Sequence, residues 1–243
     1  MTRLTGTDRA AYVQSMFARI AGRYDLMNRL MTAGQDVGWR RLTLDLAQLP
    51  VGGRLLDLGT GTGELALEAL RRDPSLHVVG GDFTLEMMRV GQTRPNGWRV
   101  RWAGTDALNL PFPDNTFDAV TSGYLMRNVV DVSQAWQEQY RVLKPNGRVV
   151  CLDTSPPSRN PKGTFSLLHP FINFHLHVVI PTLGRLVAGE SEAYTYLPDS
   201  TENFLSAEQL AERMVAAGFK AVQFQRLMLG TMAIHWGKKI VDC

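Results

Sequence analysis

Residues Leu55–Leu67 read LLDLGTGTGELAL: an apolar run broken by Asp57, three glycines alternating with threonines, Glu64, and an apolar resumption. The pattern predicts a strand over Leu55–Leu58, a sharp turn, and a helix over Glu64–Arg72. Gly59, Gly61 and Gly63 let the main chain approach a ligand closely, because no Cβ intervenes and positive φ costs nothing. The helix that follows offers its N-terminus to a negative group. A small ligand with an anionic end is therefore expected against this loop.

The spacing narrows the ligand. The dinucleotide fingerprint is G-x-G-x-x-G. Here the pattern is G-x-G-x-G, and Glu64 stands where the last glycine would be. Downstream, His77–Asp82 (HVVGGD) reads as a second strand ending in an acid that can accept from ribose hydroxyls. Asp57-x-Gly-x-Gly-x-Gly with an acid ending the second strand resembles the S-adenosylmethionine (SAM) site of class I methyltransferases. That resemblance implies that the carboxylate of the methionine portion meets the loop. NAD or another nucleotide is the competing reading.

Outward from the loop, strand and helix signals alternate. Val78–Gly81 is strand-like and Leu85–Gln92 helical. Val100–Ala103 and Phe117–Ser122 are strands, Ser133–Val142 a helix, and Arg148–Asp153 a fifth strand. This alternation predicts an α/β, Rossmann-like fold: a mainly parallel seven-stranded sheet with helices on both faces and ligands at the strands' carboxyl ends. A last helix, Ala207–Ala217, stops at Gly218, as a C′ glycine would stop it. Phe219–Leu229 and Met232–Lys239 supply the final, antiparallel strands. Upstream, Val13, Met16, Phe17, Ile20, Tyr24, Met27 and Leu30–Met31 recur at helical spacing, with a break near Gly22. Trp39–Leu49 reads as a further helix stopped by Pro50. The whole chain, 1–243, is read as one domain, with an N-terminal helical cap over 1–50 and a hydrophobic insert over 155–200.

Composition excludes several classes. The 243 residues suffice for one sizeable core, and 44% apolar with 20% charged residues are ordinary globular values. Net charge is +3 without a dense Lys/Arg stripe, so nucleic acid is not indicated. Cys151 and Cys243 make neither a disulfide framework nor a zinc site. Cys151, after Val149-Val150, reads as a buried strand thiol. The start lacks a signal-peptide apolar region, which predicts a cytoplasmic location. The stretch 163–184 holds no Asp, Glu, Lys or Arg, yet His169, Pro170, Asn173, His175, His177 and Pro181 interrupt it. A lone membrane span with that polar load would be costly. It reads as a helical lid or channel wall, with contact at a membrane surface left open. A buried core helix pair is the alternative.

Candidate chemistry lies at strand ends. Ala103–Ala107 ends the third strand. There Asp106 can meet an adenine amino group and the next backbone N–H, at Ala107, a ring nitrogen; Asp106 capping a turn is the plainer reading. Arg127 and Asn128, just past the fourth strand, are placed to handle substrate oxygens, unless Arg127 only pairs with Asp131 at i+4. His169, His175 and His177 lack the carboxylates or spacing of a metal site, so no metal is expected. His235 reads first as a core histidine and second as a base.

Further motifs carry a more specific resemblance. Phe17-Ala-Arg-Ile-Ala-Gly-Arg-Tyr-Asp-Leu-Met-Asn28, Gly34, Trp39-Arg40, Arg127-Asn128-Val129, Arg141–Gly147, Tyr194–Ser200 and Ala233-x-His235-x-Gly237 together are similar to the menaquinone/ubiquinone C-methyltransferases. The similarity spans the chain in order. It implies SAM-dependent methylation of a ring carbon of a lipophilic polyprenyl quinol, with SAM contacts at Thr62, Asp82, Asp106 and Ala107. Tyr24, Gly59 and Gly123 complete the expected donor site. The family often has Asn at 106, Ser at 123 and Gly at 146. Gln35-Asp36 leans toward demethylmenaquinol rather than the methoxy-benzoquinol of ubiquinone synthesis. A homodimer is left open.

The chemistry follows. A quinol ring carbon ortho to oxygen becomes nucleophilic as the phenol proton leaves. Arg127, helped by Asn128, is expected to stabilise the developing oxyanion. Tyr24, His235 or a water would take the proton, and 163–184 would hold the prenyl tail. Rival readings are a SAM methyltransferase of small phenols or sterol-like acceptors, and a SAM-binding regulator.

Overall fold

The computed structural model describes residues 6–156, 178, 179, 182, 196 and 199–240. Most of the 155–200 insert, with His169, His175 and His177, lies outside the described residues, as does Cys243. The described elements are α1 (Gly6–Ile20), α2 (Tyr24–Met31), α3 (Asp36–Ala47), β1 (Arg54–Leu58), α4 (Glu64–Arg72), β2 (His77–Asp82) and α5 (Leu85–Gln92). They continue with β3 (Arg101–Gly104), β4 (Phe117–Gly123), α6 (Val132–Val142), β5 (Leu143–Thr154), α7 (Ala207–Ala216), β6 (Lys220–Leu227) and β7 (Met232–Lys238).

The strands form one seven-stranded sheet in the order β3-β2-β1-β4-β5-β7-β6. The first five are mutually parallel, and β7 runs antiparallel to both β5 and β6. The expected mainly parallel sheet is therefore present. Its central strands are apolar at consecutive positions because both faces are covered. Leu55, Ala119 and Val150 face one core with Trp39 and Leu44 of α3 and Leu65 of α4. Their neighbours Leu56, Val120 and Val149 face the other, with Trp136 of α6 and Met214 of α7.

Differences from the sequence reading have local causes. Helix α3 begins at Asp36 and ends at Ala47, because Gln48 turns left-handed (φ 45°) ahead of Pro50. Strand β5 begins at Leu143, which pairs with Phe117 before a register shift. Asn146 sits at φ 66°, where glycine is favoured and Asn is tolerated. Strand β6 stops at Leu227 because Met228 and Leu229 both turn left-handed. Cys151 is fully buried on β5, as expected, and burial pushes its thiol up. Among the described residues no helix is long and apolar enough to cross a membrane.

Candidate active site

In this strand order the chain reverses direction of winding between β1 and β4, the point where open α/β sheets bind ligands. The loops after both strands meet there. The glycine loop has φ of 66°, 56° and 81° at Gly59, Gly61 and Gly63, so left-handed backbone is required three times. A Cβ on Gly63 would also lie 2.5 Å from the Trp102 ring. Asp82 holds the loop's shape: one oxygen accepts from Gly61 N–H (2.7 Å), the other from Thr84 N–H (2.7 Å). Each oxygen retains a lone pair for a ligand hydroxyl.

The N-terminus of α4 is already met by a carboxylate of the chain. Asp57 is buried, accepts from Thr60 Oγ1 (2.6 Å) and Thr121 Oγ1 (3.0 Å), and feels the Ala66 N–H in the first turn of α4. Burial pushes its pKa up to about 6, against the lowering effect of those donors. The expectation of a ligand's anionic end at this terminus thus meets an internal competitor.

Two adjoining cavities open beside the loop. The larger, about 490 Å³, is mainly apolar, and the smaller is about 50 Å³. Tyr24, Gly59, Gly61, Gly123 and Tyr124 line both. The smaller is acidic, with Asp25, Asp57 and Glu64 against Arg40. Thr62 lines it, and its hydroxyl donates to Asp25 (2.7 Å). Arg94 pairs with both Asp25 and Glu64, and Arg40 with Glu64 (2.8 Å) and Asp36. This chain of charges fastens the N-terminal cap to the loop. It also gives Asp36 a structural task, so Gln35-Asp36 says little about the acceptor.

The larger cavity brings together Tyr24, Asp82, Asp106, Ala107, Gly123 and Asn128, all expected at the site. Asp106 also accepts from Leu108 N–H (2.9 Å), so it caps a turn while bordering the cavity. Thr105 Oγ1, in the same wall, is buried with no hydrogen-bond partner among the described residues. A serine at Gly123 would need Leu65 to yield slightly, its Cδ1 lying 3.3 Å from the built Cβ. The far wall is α1, through Ala10, Gln14 and Phe17. Its amphipathic sequence announced a helix, not a cavity wall.

Arg127 and His235 do not line either cavity. Arg127 is buried one layer behind, where its guanidinium donates to Asp153 (2.9 Å) rather than to Asp131. Burial alone would lower its pKa, but Asp153 holds it above the usual value. His235 is buried on β7, bonded through Nε2 to Ala207 O (2.8 Å) and stacked on Phe224. Burial pulls its pKa down. Gly237 packs near Val222, so the C-terminal motif serves the core. Asn128 reaches the cavity with its amide already engaged: Nδ2 donates to Tyr124 O (2.9 Å), and Oδ1 accepts from Tyr196 Oη (3.2 Å).

The sequence reading passed over Tyr124. It is a non-glycine residue at φ 61°, its ring lies 5.1 Å from the Arg127 guanidinium carbon, and its buried hydroxyl has no partner among the described residues. Positive φ outside glycine is the signal, and it is invisible in sequence. Among the described residues no cluster of three or more His, Cys, Asp and Glu could hold a metal.

The site fits SAM: a loop whose added Cβ atoms would meet Leu125 and Met87, an acid with spare lone pairs, and an orphaned hydroxyl beside Asp106. The fold agrees with a SAM-dependent methyltransferase structure from Thermotoga maritima at TM-score 0.64, with 19% identity and 93% and 98% of the two chains covered. Sequence relatives are closer. A protein of Desulfotalea psychrophila named ubiquinone/menaquinone biosynthesis C-methyltransferase is 50% identical, covering 93% of this chain and 90% of that one. A Thermus thermophilus demethylmenaquinone methyltransferase is 46% identical over 92% of this chain and 100% of its own. The ubiE/COQ5 methyltransferase family model matches residues 5–239, and with these relatives it shows that the chain belongs to that family.

Proposed function

We propose that the protein transfers the methyl group of SAM to a ring carbon of a polyprenyl quinol, with demethylmenaquinol as the acceptor. The single observation that carries this reading is the joined pair of cavities: an acidic pocket beside the glycine loop opening into an apolar space of about 490 Å³. SAM, when bound, supplies an electrophilic methyl group. Asp82 would receive ribose hydroxyls, and Asp106 with Ala107 the adenine edge. The carboxylates of the small pocket favour the donor's ammonium beside Thr62, with its carboxylate elsewhere.

The chain's own work is alignment, dehydration and charge stabilisation. The acceptor ring lies in the apolar cavity against α1, with one oxygen toward Tyr24. Burial raises the Tyr24 pKa, so that hydroxyl acts as a donor and the proton leaves through water. Arg127 supplies positive potential from behind the wall and is a positioning residue. The 163–184 stretch would house the prenyl tail. Peripheral contact with the cytoplasmic face of a membrane would deliver such an acceptor, and neither a metal nor a second subunit is invoked.

Demethylmenaquinol, a 2-polyprenyl-6-methoxy-1,4-benzoquinol and short phenols, each offered with labelled SAM, separate the readings. The proposal expects the highest kcat/KM on demethylmenaquinol, falling as the prenyl chain is trimmed. Preference for the methoxy-benzoquinol would move the function to ubiquinone synthesis, and preference for short phenols would sink both.

A further inference from the structure

Arg127, behind the cavity wall, and Asn128, in it, both contact Tyr124. Asn128 Nδ2 donates to Tyr124 O (2.9 Å), and Asn128 N–H closes a turn on Leu125 O (2.8 Å). Tyr124 N–H donates to Leu152 O (2.8 Å). The Arg127 guanidinium carbon stands 5.1 Å from the Tyr124 ring centre, and Arg127 is itself anchored by Asp153 (2.9 Å). These contacts hold Tyr124 at φ 61°, a conformation unfavourable for a non-glycine residue. Strain of this kind persists where surrounding contacts over-determine it, and it gathers at functional sites.

Tyr124 lines both cavities, so it stands at their junction, where methyl donor and acceptor must meet. Its hydroxyl is buried and finds no partner among the described residues. A buried, unpaired hydroxyl is unfavourable until something bonds to it.

We propose that the Tyr124 hydroxyl is a catalytic donor, bonding to the acceptor oxygen next to the ring carbon that is methylated. This rests on the quinol reading above and adds to Tyr24 a second donor, on the oxygen beside the reacting carbon. In the transfer, the ring carbon gains a bond to the methyl carbon. The methyl–sulfur bond breaks, with its electron pair staying on sulfur. The acceptor's phenol proton leaves to water before transfer; as aromaticity returns the ring hydrogen leaves as a proton and the oxygen takes one back from water, so one proton is released in all. Negative charge gathers on the acceptor oxygen before the methyl arrives, and a donor already in place lowers that barrier. The groups acting on the Tyr124 hydroxyl are Tyr24, Arg127, Arg40 and Asp36. Burial keeps it protonated, as a donor must be.

The test is Tyr124→Phe, which keeps the ring under Arg127 and removes only the hydroxyl. It is assayed on whichever acceptor of the panel the wild type methylates. A wrong acceptor then overturns the functional reading without deciding this one. The expected result is a fall in kcat of about 10²-fold, the scale of a lost oxyanion donor, with the SAM Kd within about twofold. The deficit should shrink on a halogenated acceptor whose phenol ionises more readily. Unchanged kcat, or a loss confined to SAM affinity, overturns the proposal. Should the Phe variant misfold, fluorinated tyrosine placed at 124 keeps size and hydroxyl while lowering the phenol pKa. The kcat must then change while the SAM Kd stays within about twofold, and an unchanged kcat overturns the proposal.

Discussion

Replacing Arg127 by Met would strand Asp153, a carboxylate with 1% side-chain exposure whose guanidinium partner is itself only 3% exposed. What remains for it are two backbone donors, Arg127 N–H (3.2 Å) and Thr154 N–H (2.7 Å). Breaking a buried pair from one side costs about 3–5 kcal/mol, because the surviving charge is left uncompensated. For a domain of this size, each kcal/mol lowers Tm by about 2–4 °C, so a fall of about 6–20 °C is expected. Asp153→Asn in the Arg127→Met background removes the stranded charge and keeps an acceptor for a backbone N–H. The double variant should regain most of the lost stability in urea titrations. Its kcat should stay about 10²–10³ below wild type, because the positive potential behind Tyr124 is gone. A single variant within about 0.5 kcal/mol of wild type, or a cycle additive within that margin, would refute the pairing. A double variant with restored kcat would refute the electrostatic role.

Other outcomes follow from particular atoms. Gly63→Ala combines φ 81° with a Cβ 2.5 Å from Trp102, so it should lose about 2 kcal/mol or more and weaken SAM binding in calorimetry. Asp57 has its folded pKa raised to about 6 by burial, from about 3.9 unfolded. Its stabilising contribution is full below about pH 4 and is lost as pH rises through 6, about 3 kcal/mol in all. The stability of Asp57→Asn relative to wild type should therefore climb between pH 4 and 6. His235 is depressed by burial, so its contribution is full above its unfolded value of about 6.5 and is lost as pH falls. His235→Gln relative to wild type should thus decline as pH rises toward 6.5; denaturant titrations of both variants across pH read the two slopes. In a Cys243→Ser background, the buried Cys151 should react with a thiol reagent only at the rate of unfolding.

Local pattern carried most of the fold. Helices α4 and α5 have the boundaries that periodicity predicts, and the glycine loop between β1 and α4 adopts the left-handed backbone its spacing demands. The ends that moved did so through backbone turns at Gln48, Met228 and Leu229, none of them residues that advertise positive φ. The candidate residues on the loops after β1, β2 and β3 border the cavities because they ride on those elements. What was not legible depends on contacts distant in sequence. Asp153 captures Arg127 from the end of β5, Asp25 takes the Thr62 hydroxyl, and Phe224 claims the His235 ring. The role of α1 was hidden for a similar reason: an apolar stripe looks the same whether it covers a core or walls a cavity.

The proposed reaction is carbon methylation of a quinol ring. Incubation with demethylmenaquinol and SAM carrying a deuterated methyl group, followed by tandem mass analysis of the product, tests it directly. One labelled methyl is expected on the ring carbon ortho to a quinol oxygen, resistant to ether cleavage. A labelled methyl on oxygen, or an unlabelled acceptor recovered under conditions where SAM binds, would contradict it.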